Sequence, residues 1–367
     1  MKEFTVNLKP LTPLWTGDAN RECNDLKESG IIGSLRWWYE ALLRGLGFNA
    51  CDPTNESSRC KLDQKKFYEA INSGKSVLEA LNEQNICPAC QLFGCSGWAR
   101  KFRLEINHEV ESLMTLKINN KIVGLMPKED ITFKFIELKD ITEEEYFLLN
   151  KTLEIIDIYG ALGARISQGY GVIKITKNDL PNNFANKLSN HDISSIPKTS
   201  SVDNNDLPNI KNFHFYKFVI EFNEKITSLI DKKVFRIDKK TLKMWGTNNN
   251  LKKLWENYDF LPIASNIRRT IRRLEDNGGE THAIFGESGK GSKVFVSHGY
   301  KINEKTVEFR IWGYGIDSSL LFSIQNNLES NLKQKLFSGG EDLLKNCLLK
   351  EEKTGESLIN QLVEELI

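Results

Sequence analysis

Nothing in this sequence approaches the ~18 uninterrupted apolar residues that a membrane-spanning helix requires, which argues against a helical membrane protein. An export leader is lacking too: Met1-Lys2-Glu3-Phe4-Thr5 passes straight into alternating, strand-like sequence, and we expect a cytoplasmic protein. Histidine is scarce. His108, His191, His214, His282 and His298 are spaced neither as a nucleophile–base pair nor as a metal-hydrolase motif, so no catalytic set and no small-molecule substrate are implied. Net charge is nearly absent, +1 from 50 Lys+Arg against 49 Asp+Glu, and does not by itself point to a polyanionic partner. The seven cysteines are odd in number in a chain without a leader, which argues against a disulfide framework.

Charge is present but unevenly placed. From Glu341 to the end there are seven acids and three lysines, a net of −4 that leaves about +5 on the remainder. Arginines clump at Arg268, Arg269, Arg272 and Arg273. Basic patches on a balanced total fit a protein that touches RNA over a limited surface, or a member of a larger assembly. At 367 residues the chain is about twice a usual domain. The break falls at 178–212, where nine Asn and three of the nine Pro, padded with Ser and Asp, cannot bury a core. We therefore expect a first module over 1–177, a linker over 178–212, and a second module over 213–367 with an acidic, helical C-terminus.

Periodicity supplies the elements. In the first part, Phe4-Thr5-Val6-Asn7-Leu8 alternates as a strand, and Leu35, Trp38, Leu42 and Leu46 mark one stripe of a helix over 32–46. Strands follow at 102–106 and 131–136. Thr142 before Glu143, Glu144 and Glu145 starts a helix that runs to about Tyr159, and Val172-Ile173-Lys174-Ile175 is a last strand. The order is β-α-β-β-α-β, the ferredoxin-like arrangement. The second part repeats it less cleanly: a strand at 213–222, a helix at 265–275, strands at 294–296 and 307–311, and a helix after Asp317. A final strand is not evident there. The fold class expected is α+β, two ferredoxin-like modules with insertions.

Four groups of residues carry chemistry. Cys87-Pro88-Ala89-Cys90 is a C-x-x-C pair, and a second pair drawn from Cys51, Cys60 and Cys95 would complete a tetrahedral zinc site with no open position, hence structural. Free buried thiols are the alternative. The segment Gly160–Gly171 holds Gly163, Gly169 and Gly171 around Arg165 and Tyr170, a loop that is either a tight turn or a surface approached by phosphate. Arg36, Glu40 and Arg44 recur every four residues, as a solvated paired face or as an RNA-facing one. In Ser265–Arg273, isoleucines turn inward and four guanidiniums outward, suited to bidentate phosphate contacts. Asp18 and Asp25, in the loop after the first strand, are turn formers or divalent-ion ligands.

Three segments together, Gly-Ile-Ile-Gly-Ser-Leu-Arg-Trp-Trp-Tyr-Glu (30–40), Cys-Pro-Ala-Cys-Gln-Leu-Phe-Gly (87–94) and Gly-Ala-Arg-Ile-Ser-Gln-Gly-Tyr-Gly (163–171), resemble the RAMP superfamily of CRISPR effector proteins. Joined with Gly97-Trp98-Ala99-Arg100-Lys101-Phe102-Arg103, they are similar to the head-subunit family of type III-B Cmr complexes. Ile284-Phe285-Gly286 and Gly291-Ser292-Lys293-Val294 resemble the matching element of a second module. The resemblance implies a non-catalytic antiviral RNA-binding subunit that helps hold crRNA near its 3′ end and target RNA, with other Cmr subunits as partners. It places zinc on Cys51, Cys60, Cys87 and Cys90 and leaves out Cys95. It turns Gly163, Arg165, Gly169 and Gly171 toward RNA or a partner. On that basis Arg36, Arg100, Lys101, Arg165, Arg268, Arg269 and Arg272 are the expected phosphate contacts. Backbone subunits of the superfamily cleave target RNA with a loop aspartate, so a metal-dependent nuclease using Asp18 or Asp25 is the alternative.

Overall fold

Alternating side chains in the first segment form strand β1 (Glu3–Pro10), which buries Val6 and Leu8 and leaves Asn7 and Lys9 on the other face. A computed structural model of the chain describes residues 2–18, 22–107, 113–118, 121–127, 129–182, 207–236, 248–275, 284–286, 291–338 and 343–366. Most of the expected linker, 183–206, lies outside the described residues, as do His108, His191 and His282. Helix α1 (Glu28–Gly45) follows β1, then β2 (Phe102–Asn107), a hairpin β3 (Leu113–Ile118) and β4 (Lys121–Pro127), and β5 (Ile131–Glu137). The chain continues to α5 (Glu143–Ile158) and β6 (Ile173–Asn178). Thr142 caps α5 in a full capping box with Glu145. The strand order β2-β5-β1-β6 is antiparallel throughout. It is the order that a βαββαβ chain adopts when each helix returns across the same face. The long excursion between α1 and β2 carries α2 (Gln64–Asn72), α3 (Val77–Glu83) and α4 (Pro88–Phe93).

The second sheet repeats the plan. Its elements are β7 (Phe213–Phe222), α6 (Ile226–Asp231), α7 (Asn248–Tyr258), β8 (Phe260–Leu261) and α8 (Ala264–Leu274). Then come β9 (Val294–Val296), β10 (Gly299–Asn303), β11 (Thr306–Tyr314), α9 (Ser318–Leu336), β12 (Leu344–Thr354) and α10 (Gly355–Leu366). The sheet runs β12-β7-β11-β10-β8, with β9 also on β11, and all pairs are antiparallel. The fold is α+β, as the sequence pattern implies. A final strand that the pattern did not reveal is present: β12 pairs with β7 from Leu344↔Phe222 to Thr354↔His214. It escapes notice because its register slips twice, between Leu344 and Asn346 and between Leu349 and Glu351. Each slip resets the period-2 alternation.

Helix α1 lies between the two sheets, which is why it buries residues on nearly all sides, Ile31, Leu35, Trp38, Tyr39 and Leu43 among them. Trp37 meets Phe213, Phe295 and Tyr314 of the second part at ring-centroid distances of 6.0, 6.1 and 6.4 Å. The buried Arg310 of β11 reaches the C-terminal end of α5, donating to the carbonyls of Asp157 (2.7 Å), Gly160 (2.9 Å) and Ile156 (3.3 Å). A guanidinium there satisfies carbonyls that a helix end leaves open and sits at the negative pole of the dipole.

Candidate metal centre and nucleic-acid interface

Four sulfurs converge where α1 meets the excursion. The Sγ atoms of Cys51, Cys60, Cys87 and Cys90 all lie within 4.8 Å of one another, and Cys51 is 3.5 Å from Cys90. Soft thiolates at such spacing suit a tetrahedral metal, with every position taken by protein. Local structure explains the convergence. Cys87 is the N-cap of α4 with Pro88 at its first turn, so Cys90 returns one turn later. The Cys87 backbone N–H donates to Cys60 Sγ at 3.3 Å. Hydrogen bonds from Cys60, Cys87 and Cys90 drive the Cys51 thiol far below its ordinary range. Cys95 stands outside the quartet, and its sulfur donates to the Ser96 carbonyl at 3.7 Å.

Arg36 is part of this centre rather than of an RNA surface. Its Nε donates to Glu40 at 2.7 Å, one terminal nitrogen to the Gly94 carbonyl at 2.8 Å and the other to Cys90 Sγ at 3.1 Å. Arg44 holds the carbonyls of Ala50, Cys51 and Pro208, and lies 3.6 Å from Glu40. The Arg36–Glu40–Arg44 row is therefore neither a solvated face nor a phosphate-binding one. The excursion covers it, and its cations stand beside thiolates whose charge they offset.

Other expected phosphate contacts are also engaged inside the protein. Lys101 is buried, with its ammonium 2.8 Å from Glu145. Arg268 donates to the carbonyls of Val294 (2.7 Å) and Phe285 (2.5 Å) and to the Ser292 hydroxyl (3.0 Å). Burial, then neighbouring Arg272, lowers its pKa to about 10. It clamps Phe285, Ser292 and Val294 onto α8, and its donors are spent inside the protein. Arg100 is half-buried and pairs with no carboxylate among the described residues. Arg165 adopts a left-handed backbone (φ 56°), with its guanidinium 4.1 Å from the Trp15 ring centroid.

The glycines of the loop answer to packing. Gly171 (φ +89°) would place a Cβ 2.2 Å from the Leu162 carbonyl oxygen. Gly169 (φ +105°) faces the second part, where a Cβ would lie 2.6 Å from that of Ala264 and 2.7 Å from the His298 ring, and its carbonyl accepts from His298 N–H at 3.2 Å. Gly163 (φ +88°) donates its N–H to the Ser34 hydroxyl at 3.0 Å. Only glycine fits those conformations without strain, so Gly169 and Gly171 are buried joints, not an RNA-facing rim. Asp18 and Asp25 serve turns: Asp18 accepts the Glu22 N–H and Asp25 accepts the Leu26 N–H, both at 2.8 Å.

A cationic face stays exposed on α8. Arg269, Arg272 and Arg273 project from α8, and Arg272 and Arg273 pair with no carboxylate among the described residues. Asn266 donates to the carbonyls of Arg236 (2.9 Å) and Lys335 (2.7 Å), bringing both segments alongside. Desolvation first, then the charges of Arg273, Arg236 and Arg269, pushes the Lys335 ammonium below its usual pKa. Arg236 and Lys335 were not legible as members: they lie 33 and 66 positions from Arg269 in sequence, and only the fold brings them together.

Comparison with known proteins bears on the first sheet. The family described as the RAMP superfamily matches residues 7–174. That match falls within the first sheet and its helices and covers a little under half of the chain. The chain is also similar to the CRISPR system Cmr subunit Cmr1-2 of Pyrococcus furiosus, 24% identical over 185 residues that span 48% of this chain and 96% of that protein. Among solved structures, Cmr1 from Pyrococcus furiosus covers 87% of this chain and 89% of its own at 13% identity and a TM-score of 0.40. A type III-B Cmr-beta complex bound to cognate target RNA includes a chain matched over 90% of this one and 99% of its own, at 12% identity and a TM-score of 0.40. The matched segment contains α1, the cysteine quartet and the glycine loop, and the first sheet is the frame on which all three are mounted. No helix among the described residues is long and apolar enough to cross a membrane.

Proposed function

We propose that the chain is a non-catalytic, RNA-binding subunit of a type III-B CRISPR effector complex, with structural zinc on Cys51, Cys60, Cys87 and Cys90. The RAMP match and the similarity to a Cmr subunit support membership of such a complex. The observation that carries RNA binding is the face of Arg269, Arg272, Arg273, Arg236 and Lys335, whose like charges crowd together at the protein surface. Crowded guanidiniums repel one another and are relieved by polyphosphate. A subunit that serves many guides must hold backbone rather than read bases, and this face presents guanidiniums suited to that. Arg165 beside Trp15 and the half-buried Arg100 are further proposed contacts on the first module. Zinc suits the quartet because four thiolates close the tetrahedron and leave no position for water, which makes the site a brace.

Arg269→Ala with Arg272→Ala is expected to weaken binding of unrelated single-stranded RNAs alike and to reduce the salt slope by about 1.4, near 0.7 per lost contact. Arg268→Ala is expected instead to lower the unfolding midpoint. Unchanged affinity and slope in the double variant would contradict the reading. Incubation of the zinc-loaded protein with labelled RNA and Mg²⁺ or Mn²⁺ is expected to give no cleavage. Cleavage abolished by Asp18→Ala or Asp25→Ala would establish the nuclease instead.

A further inference from the structure

A groove of about 510 Å³ opens beside the cysteine quartet, between α2 and the turn at 95–99, lined by Tyr68, Phe67, Trp98, Gln64 and Lys139. That volume falls within the ~300–1,000 Å³ of small-ligand sites. Tyr68 is 61% exposed, the second most exposed large apolar side chain among the described residues. It rests edge-on against Phe67 at 5.6 Å, and Phe67 against Trp98 at 5.6 Å, so the exposed ring stands on a buried aromatic stack. The Lys139 ammonium lies 3.3 Å from the Trp98 ring centroid and donates to the Ala99 carbonyl at 2.8 Å. It has no carboxylate partner among the described residues, and burial, then Lys101, holds its pKa below the usual lysine value. A half-desolvated cation without a counter-ion is most stable beside an anion.

We propose that this groove binds one nucleotide of single-stranded RNA, its base stacked on Tyr68 and its phosphate against Lys139. The inference rests on the RNA-binding reading above and adds a site on the first module, remote in sequence from the α8 face. Stacking on an exposed ring beside a cation is how single strands are held without regard to sequence, and a duplex offers no free base face for it. Lys61, Lys65 and Lys66, next in sequence to the lining residues Leu62 and Gln64, are exposed and hold no ion pair among the described residues. Of the neighbouring acids, Asp63 accepts the backbone N–H groups of Lys65 and Lys66 as the cap of α2, and Glu69 is exposed on the same helix. An acidic or neutral peptide would meet the cations but leave the stacking ring unexplained. The walls are stiff. Leu62 N–H donates to the Ser96 carbonyl at 2.8 Å, and Gly97 (φ +84°) packs where any Cβ would lie 2.4 Å from the Leu62 oxygen.

The test is fluorescence anisotropy with a short labelled oligouridine and the full zinc-loaded chain, in low and moderate salt. Tyr68→Ala is expected to weaken binding about tenfold and Tyr68→Phe less than about twofold, because the ring and not the hydroxyl stacks. Lys139→Gln is expected to weaken it and to lower the salt slope by about 0.7. Zinc content and unfolding midpoint check that Tyr68→Ala is folded. Wild-type affinity in folded Tyr68→Ala overturns the groove. If the Arg269/Arg272 variant still loses affinity in that case, the broader RNA-binding reading stands without it. If Tyr68→Ala keeps RNA affinity but fails to assemble with neighbouring subunits, the groove docks protein and the proposal is likewise overturned.

Discussion

Arg310→Met is expected to lower the free energy of unfolding by about 3–5 kcal/mol, the scale seen when one partner of a buried charged network is removed. The side chain is buried, and besides three carbonyls at the end of α5 its Nε donates to the Tyr300 hydroxyl at 3.2 Å. Methionine fills most of the volume but leaves those carbonyls facing apolar surroundings, at about 1–3 kcal/mol for each unsatisfied group. Total stability of a domain is only about 5–15 kcal/mol, so the loss is a large share. Urea unfolding followed by tryptophan fluorescence checks it, since Trp37 and Trp312 lie at or near this junction. Arg310→Lys, with a single ammonium in place of a fork, is expected to fall between. A loss under about 1 kcal/mol would mean that the aromatic contacts of Trp37, not Arg310, fix the two sheets together.

The second large effect is expected at the quartet. Wild-type protein is expected to carry about one equivalent of zinc by elemental analysis, and Cys87→Ala with Cys90→Ala about none. Beside its apolar packing and the Arg36 and Arg44 hydrogen bonds, the quartet is what ties the excursion between α1 and β2 together: α2, α3 and α4 span nine, seven and six residues, too short to persist alone. Structural zinc contributes on the order of 10–16 kcal/mol of apparent binding energy in isolated zinc modules, so its loss is expected to unfold this region and expose Phe67 and Trp98. Increased proteolysis within 46–101, with the second sheet intact, is the readout. A metal-free double variant that resists protease like wild type would refute the site.

How far the sequence could be read depended on what each signal required. Strands with unbroken alternation, as at Phe4–Leu8, and helices with a capping residue, as at Thr142, were legible because their causes are local. The β12 strand was not, because two bulges break its period and Lys350-Glu351-Glu352-Lys353 reads as solvated helix. Half of the cysteine quartet was visible as Cys87-x-x-Cys90. Spacing alone could not choose among Cys51, Cys60 and Cys95, since that choice depends on the path of α4 away from the quartet. The arginines show the limit most clearly. Amphipathic spacing finds an outward face, but not what packs over it. Arg268 is taken up by Phe285, Ser292 and Val294 and Arg36 by the cysteine excursion, while Arg269 and Arg272, one and four positions on from Arg268, stay exposed.

Ultraviolet crosslinking of the assembled ribonucleoprotein, with attachment sites read by mass spectrometry, asks directly whether this chain meets RNA through its cationic surfaces. The expected map has adducts on the peptides bearing Arg269–Arg273 and Lys335, and none on those bearing Arg36 or Lys101. Adducts confined to other subunits, with this chain unmodified, would make it a protein bridge and contradict the account.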